Sequence, residues 1–153
     1  MKLIYCALLC FSANVFAAKF AQGDISPDTL FAHYEKFNQA YHAYTPAKAD
    51  IEKLSRLPEL ELAVYFGSWC HDSQREVPRW LKSLAMANNP KIKVSLIALD
   101  LSKTEPQGRA VAAGVKYTPT LVIRQNNVEL GRIVEKSEGT LAEEIERLMI
   151  SRL

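Results

Sequence analysis

The chain has 153 residues, 48% of them hydrophobic and 24% charged, which excludes a disordered polymer and leaves room for one domain of ordinary size. Lys plus Arg total 19 and Asp plus Glu total 17, a net charge of +2, which argues against nucleic acid held by a dense basic face. Three cysteines suggest one disulfide and a spare thiol.

The N-terminus changes that count. Lys2 is the only charge in residues 1–17, an apolar run follows from Leu3 to Phe11, and small or polar residues come next. Val15 and Ala17 fit the −3 and −1 positions of a cleavage site after Ala17, the pattern of a secretory signal peptide. The rival reading is a membrane anchor, but the run is shorter than the ~20 apolar residues a spanning helix needs. Leu8 and Leu9 before Cys10 do not fit a lipoprotein signal. The expectation is an exported protein, periplasmic or secreted, with no stable membrane insertion after cleavage. Cys6 and Cys10 leave with the signal, so Cys70 remains alone and no internal disulfide is possible. A single thiol is unusual where oxidation favours pairs. Either Cys70 is buried and inert, or its reactivity is the point.

Residues 26–44 predict an amphipathic helix. Ser26 caps it, Pro27 takes the first helical position, and Leu30, Phe31, Tyr34, Phe37, Tyr41 and Tyr44 fall on one face. His33 and His42 sit on opposite sides of that helix and cannot share a metal. A short second helix is predicted over 47–57, with Ile51, Leu54 and Leu57 on one side. Residues 60–66 read as a strand covered on both faces. A helix follows from about Cys70, with Val77, Trp80, Leu81, Leu84 and Ala85 at helical spacing and Pro78 expected to kink or break it. Residues 92–99 read as a second buried strand, and 106–114 as a short helix. Strands over 120–125 and 128–134 are joined by Asn126-Asn127, a pair that tolerates the left-handed turn of a hairpin. The last helix is predicted over 141–152, opened by a Thr140/Glu143 capping box. A strand–helix–strand unit implies a parallel pair with a right-handed crossover, and the hairpin adds antiparallel strands.

The chemistry is carried by Phe66-Gly67-Ser68-Trp69-Cys70-His71-Asp72-Ser73. It places a cysteine where a buried strand ends and a helix begins. Unpaired N–H groups of a first helical turn favour an anion such as a thiolate. A protonated His71 adds to that effect, and Asp72 opposes it. Ser73, three residues on, faces Cys70 across one turn, where its hydroxyl could donate to the sulfur. His71 reads either as a catalytic base or as an exposed polar residue. Trp69 shields the thiol or caps the core. Arg75 and Arg79, near Asp72 and Glu76, read as surface ion pairs before an anion site.

Trp69-Cys70-x-x-Ser73 resembles the active-site motif of the thioredoxin superfamily, with serine in place of the second cysteine. Pro78 corresponds to the proline of that family's active-site helix, and Thr118-Pro119-Thr120-Leu121 resembles its cis-proline segment. The resemblance implies an α/β thioredoxin-like fold, a mixed sheet flanked by helices, over about the last hundred residues. Residues 18–57 would be a helical extension and 58–153 the core. It also implies that Thr118 and Pro119, with Trp69, meet an extended substrate peptide beside Cys70. The departures bear on activity. Ser73 cannot resolve a mixed disulfide. Val64 stands where the family carries a buried acidic residue. His71-Asp72 replaces Gly-Pro.

Two functions follow. One is monothiol thiol–disulfide exchange, in which Cys70 attacks a disulfide or glutathionylated partner and an external thiol resolves the product. The other is a redox-inactive module that binds or holds partner peptides in the cis-proline groove. Partners are protein or small-molecule thiols and disulfides, and no cofactor or metal is expected. No glycine-rich phosphate loop, nucleophile elbow, zinc ligand set or peroxiredoxin pattern stands out.

Overall fold

The computed structural model describes residues 20–151. The expected signal peptide, with Cys6 and Cys10, lies outside the described residues. The elements run β1 (Gly23–Asp24), α1 (Pro27–His33), α2 (Glu35–Ala43), α3 (Lys48–Arg56), β2 (Leu60–Phe66), α4 (His71–Ala87), β3 (Ile92–Ala98), α5 (Arg109–Ala112), β4 (Thr120–Gln125), β5 (Val128–Val134) and α6 (Leu141–Ile150). The strands form one sheet in the order β1-β3-β2-β4-β5. Among the described strands only β2 and β3 are parallel, paired from Leu60↔Ile92 to Phe66↔Ala98, with α4 as the crossover. No described helix is long and apolar enough to cross a membrane.

The aromatic stripe of residues 26–44 forms two helices, not one. Tyr34 leaves the helical region at φ −125°, ψ 87°. The Phe31 and Tyr41 rings then meet with centroids 4.6 Å apart. In a straight helix ten residues span about 15 Å, so the contact requires the turn at Tyr34. Leu30, Phe37, Leu54 and Leu57 of this extension are buried in the same core as Leu62, Val64 and Phe66. The Phe37 and Phe66 rings pack edge to face at 5.6 Å. Each such side chain contributes roughly 1.5–3 kcal/mol of burial. The extension is therefore part of the core.

Two further expectations are sharpened. Of the kink or break expected at Pro78, the break is excluded, because α4 continues from His71 to Ala87. Proline inside a helix costs about 3 kcal/mol, and the buried face of Val77, Pro78, Trp80 and Leu81 outweighs it. The strand at 92–99 is only half buried. Lys93, Val94 and Ser95 are exposed, and burial begins at Leu96. The start of β3 is a sheet edge, since β1 pairs only with Ile97 and Ala98, and its residues face both ways: Lys93 and Ser95 lie on the face of Ile97, and Val94 points toward α4. Tyr65, Ile97, Leu99, Ala110 and Val122 form a small second cluster under the four-residue α5, which does not reach the start of β3.

The turns obey local chemistry. Asn126 and Asn127 both take positive φ, 51° and 64°, as the two-residue hairpin requires. Ser26 caps α1 by accepting the Thr29 N–H at 3.1 Å. At α6, the Thr140 hydroxyl accepts from Glu143 N–H and the Glu143 carboxylate accepts from Thr140 N–H. Asp50 adds a long-range partner there: its buried Oδ1 accepts the Ala142 N–H at 2.9 Å.

Candidate functional site

β2 ends at Phe66, and four residues, Gly67 to Cys70, carry the chain into α4. The Cys70 N–H donates to the Gly67 carbonyl at 3.0 Å and closes this turn. Trp69 folds back over Gly67, so a Cβ at position 67 would stand 2.6 Å from the indole Cε2. The Trp69 indole N–H donates to the Leu99 carbonyl at 3.0 Å, and the Leu99 N–H donates to Phe66 O at 2.8 Å. The loop is thus tied to the end of β3. Trp69 stays half-buried, with its N–H committed inside the molecule.

Cys70 is the N-cap of α4 at φ −84°, ψ 125°, and no side chain caps that first turn. The thiol is half-buried and free. Its Sγ donates to the Thr118 carbonyl at 3.1 Å. The Thr118–Pro119 bond is cis. Pro119 O accepts the Glu135 N–H at 2.8 Å, and the Thr120 hydroxyl donates to Tyr117 O at 2.8 Å. Cys70, Thr118 and Pro119, separated by 48 residues of sequence at the hydrogen bond, therefore stand together.

Ser73 has a different partner from the expected one. It is fully buried, and its Oγ accepts the Gly67 N–H at 3.2 Å. The geometry dictates this: the turn at 67–70 folds the backbone of Gly67 onto the first turn of α4. The hydroxyl serves the loop that presents the thiol. His71 is exposed at the first position of α4. Arg75 pairs with Asp72 at 2.8 Å and Glu76 at 2.7 Å, and Arg79 approaches Glu76 at 3.5 Å. The hydrogen bond that Arg75 donates to Glu76 raises its guanidinium above the ordinary value, with burial opposing, so Arg75 stays charged.

Several supports were not visible in the sequence. The Ala21 N–H donates to Ser68 Oγ at 3.0 Å, so the segment leading into β1 grips the loop before Cys70. The Gln74 side-chain amide donates to Ser68 O at 3.0 Å. Glu105 is buried and accepts backbone N–H groups from Gln107, Arg109 and Ala110. Asp100 has its carboxyl lowered, first by the Thr104 N–H, with burial opposing, and further by the Thr104 hydroxyl and the Ser102 backbone. Only this last pair had a local signal, an acid four residues before a threonine. The other contacts join residues remote in sequence or depend on the turn geometry.

The sheet order, the parallel β2–α4–β3 unit and a cis proline facing the cysteine at the start of α4 decide the architecture. The fold is thioredoxin-like. No family model and no curated protein matches the sequence. Among solved structures, a protein of unknown function from Pseudomonas aeruginosa matches with a TM-score of 0.51 at 20% identity, over 83% of this chain and 76% of its own. An HIV epitope scaffold matches with a TM-score of 0.51 at 20% identity, over 81% of this chain and 77% of its own. A germline-specific thioredoxin from Drosophila melanogaster matches with a TM-score of 0.43 at 21% identity, over 62% of this chain and 82% of its own. At 20% identity the likeness to the first two is one of fold.

Proposed function

We propose that the protein carries out monothiol thiol–disulfide exchange in an exported compartment, with Cys70 as nucleophile. The observation that carries this reading is the Cys70 thiol at an uncapped helix start, 3.1 Å from the Thr118 carbonyl beside cis Pro119. In that bond the thiol is the donor, so the contact belongs to the protonated sulfur. When the proton passes to a base in solution, the Thr118 carbonyl becomes free to accept an N–H from an extended partner.

The exchange is balanced. Cys70 sulfur attacks one sulfur of a partner disulfide, a new S–S bond forms, the old one breaks, and the departing thiolate takes a proton from solvent. A second, external thiol attacks the mixed disulfide, returns Cys70 as thiol and leaves with the partner as a new disulfide. Ser73 cannot take that second role. Thr118 and Pro119 shape the partner's seat, Trp69 covers the loop, and His71 stands at the solvent side of the first turn. The second reading is a redox-inactive binding module. Its support is Ser73, whose hydroxyl is engaged by Gly67.

Partner trapping separates the two. Exchange predicts mixed disulfides that form on wild type, vanish with Cys70→Ser and dissociate in excess thiol. Partners retained equally by Cys70→Ser, with a thiol that resists alkylation in the folded state, would leave only the binding module. Export is tested by the N-terminal sequence of protein recovered outside the cytoplasm, expected to begin at Ala18.

A further inference from the structure

The segment before α1 does more than add a short strand. Gly23 and Asp24 pair with Ala98 and Ile97 of β3, and the Ile25 N–H donates to the Leu96 carbonyl at 3.2 Å. Asp24 meets Arg109 at 2.8 Å, and the Gln22 amide donates to Asp100 Oδ2 at 3.3 Å. Residues 22–25 are thus anchored as a strap along the outer side of β3. Ala21, the next residue out, reaches past the end of that strand to Ser68, which is buried and stands two residues before Cys70. Within the turn, the Gly67 N–H donates to Ser73 Oγ, the Cys70 N–H to Gly67 O, and the Gln74 amide to Ser68 O. These bonds are local. The Trp69 indole on Leu99 and the Ser68 hydroxyl on Ala21 tie the turn to the β1–β3 side of the sheet. On the other side of the turn, toward β4, the Cys70 Sγ lies 3.1 Å from the Thr118 carbonyl.

Resting on the exchange reading above, we propose that Ser68 is a positioning residue for that reaction: its bond to the strap at Ala21 holds the Cys70 sulfur against the cis-proline segment, where a partner peptide docks. The strap braces the turn from one side of the sheet so that the sulfur keeps its place on the other. A reagent that needs only an accessible thiol does not depend on that placement. A peptide that must lie along Thr118 while its sulfur meets Cys70 does.

The test compares two reactions of the same thiol in folded protein: alkylation by iodoacetamide, and transfer of a synthetic cysteine peptide supplied as its mixed disulfide with 2-mercaptoethanol. In the transfer, Cys70 sulfur attacks the peptide sulfur, the Cys70–peptide disulfide forms, and 2-mercaptoethanol leaves and takes a proton from solvent. Both products are read on the Cys70 fragment by mass spectrometry after digestion. The ratio of the two rates is taken within each variant, so a general change in thiol reactivity cancels. Ser68→Ala removes the acceptor without adding volume, and Ala21→Pro removes the donor. Each is expected to lower the peptide-to-iodoacetamide ratio by about three- to ten-fold, the scale of one hydrogen bond. The double variant is expected to fall no further, because both changes break the same bond. Ser68→Thr keeps the oxygen and is expected to hold the wild-type ratio. An unchanged ratio in Ser68→Ala, losses that multiply in the double variant, or a Ser68→Thr ratio as low as that of Ser68→Ala overturn the positioning role and leave the exchange reading intact. No peptide transfer to wild type overturns the exchange reading and the role of Ser68 with it.

Discussion

Two helices of this molecule begin in opposite ways. At α6 the donors are closed off: Thr140 and Glu143 exchange hydrogen bonds, and Asp50 reaches from α3 to take the Ala142 N–H. At α4 the N-cap is Cys70, and no side chain caps the turn. The same feature, a set of orphan N–H groups at a helix start, is spent on stability in one place and left available to a sulfur in the other. The difference teaches where to expect mutations to act. Changes at α6 should move stability and spare the thiol, and changes at α4 should do the reverse.

The largest effect expected is on activity. Cys70→Ser should abolish mixed-disulfide formation while keeping the unfolding free energy within about 1 kcal/mol, as read by urea titration. Asp50→Ala is the converse. It strands a buried N–H and should cost about 1–3 kcal/mol, while the alkylation rate of folded Cys70 stays unchanged. A slowed thiol in that variant would break the contrast between the two helix starts.

Gly67→Ala tests the loop itself. Its new Cβ would meet the Trp69 ring, so the indole must move. A cost of about 1–3 kcal/mol is expected, together with faster quenching of tryptophan fluorescence by acrylamide. Thr140→Ala should cost about 1 kcal/mol through the lost cap, again without effect on alkylation.

The smallest effect concerns pH. Asp100 is held below its ordinary value mainly by the Thr104 N–H. A carboxyl lowered in the folded state adds stability above its unfolded value and loses it as pH falls through the folded one. Replacing the hydroxyl, Thr104→Val, should shift the Asp100 titration part of the way back toward the ordinary carboxylate range in an NMR experiment.

Much of the fold was legible because it is written in local signals. The strands over 60–66, 120–125 and 128–134 match their observed bounds, and the Asn126-Asn127 turn and the Thr140 cap follow from residues a few positions apart. The thiol and the proline segment were legible through a resemblance, and the structure brings Cys70 and Thr118 into contact. What failed was tertiary. The Tyr34 break depends on Phe31 meeting Tyr41, and the exposed half of β3 depends on its place at the sheet edge, where β1 reaches only Ile97 and Ala98. Ser73 shows the limit at the site: helical spacing puts it one turn from Cys70, but the folded turn gives its oxygen to Gly67. β1 is two residues long and has no pattern to read.

The most direct measurement is the reaction of folded protein with a disulfide peptide, followed by mass spectrometry of the Cys70-containing fragment. The prediction is a peptide adduct on Cys70 that forms without denaturant and is removed by added thiol. Adduct that forms on Cys70 only after unfolding would contradict the claim that this helix start presents a working thiol.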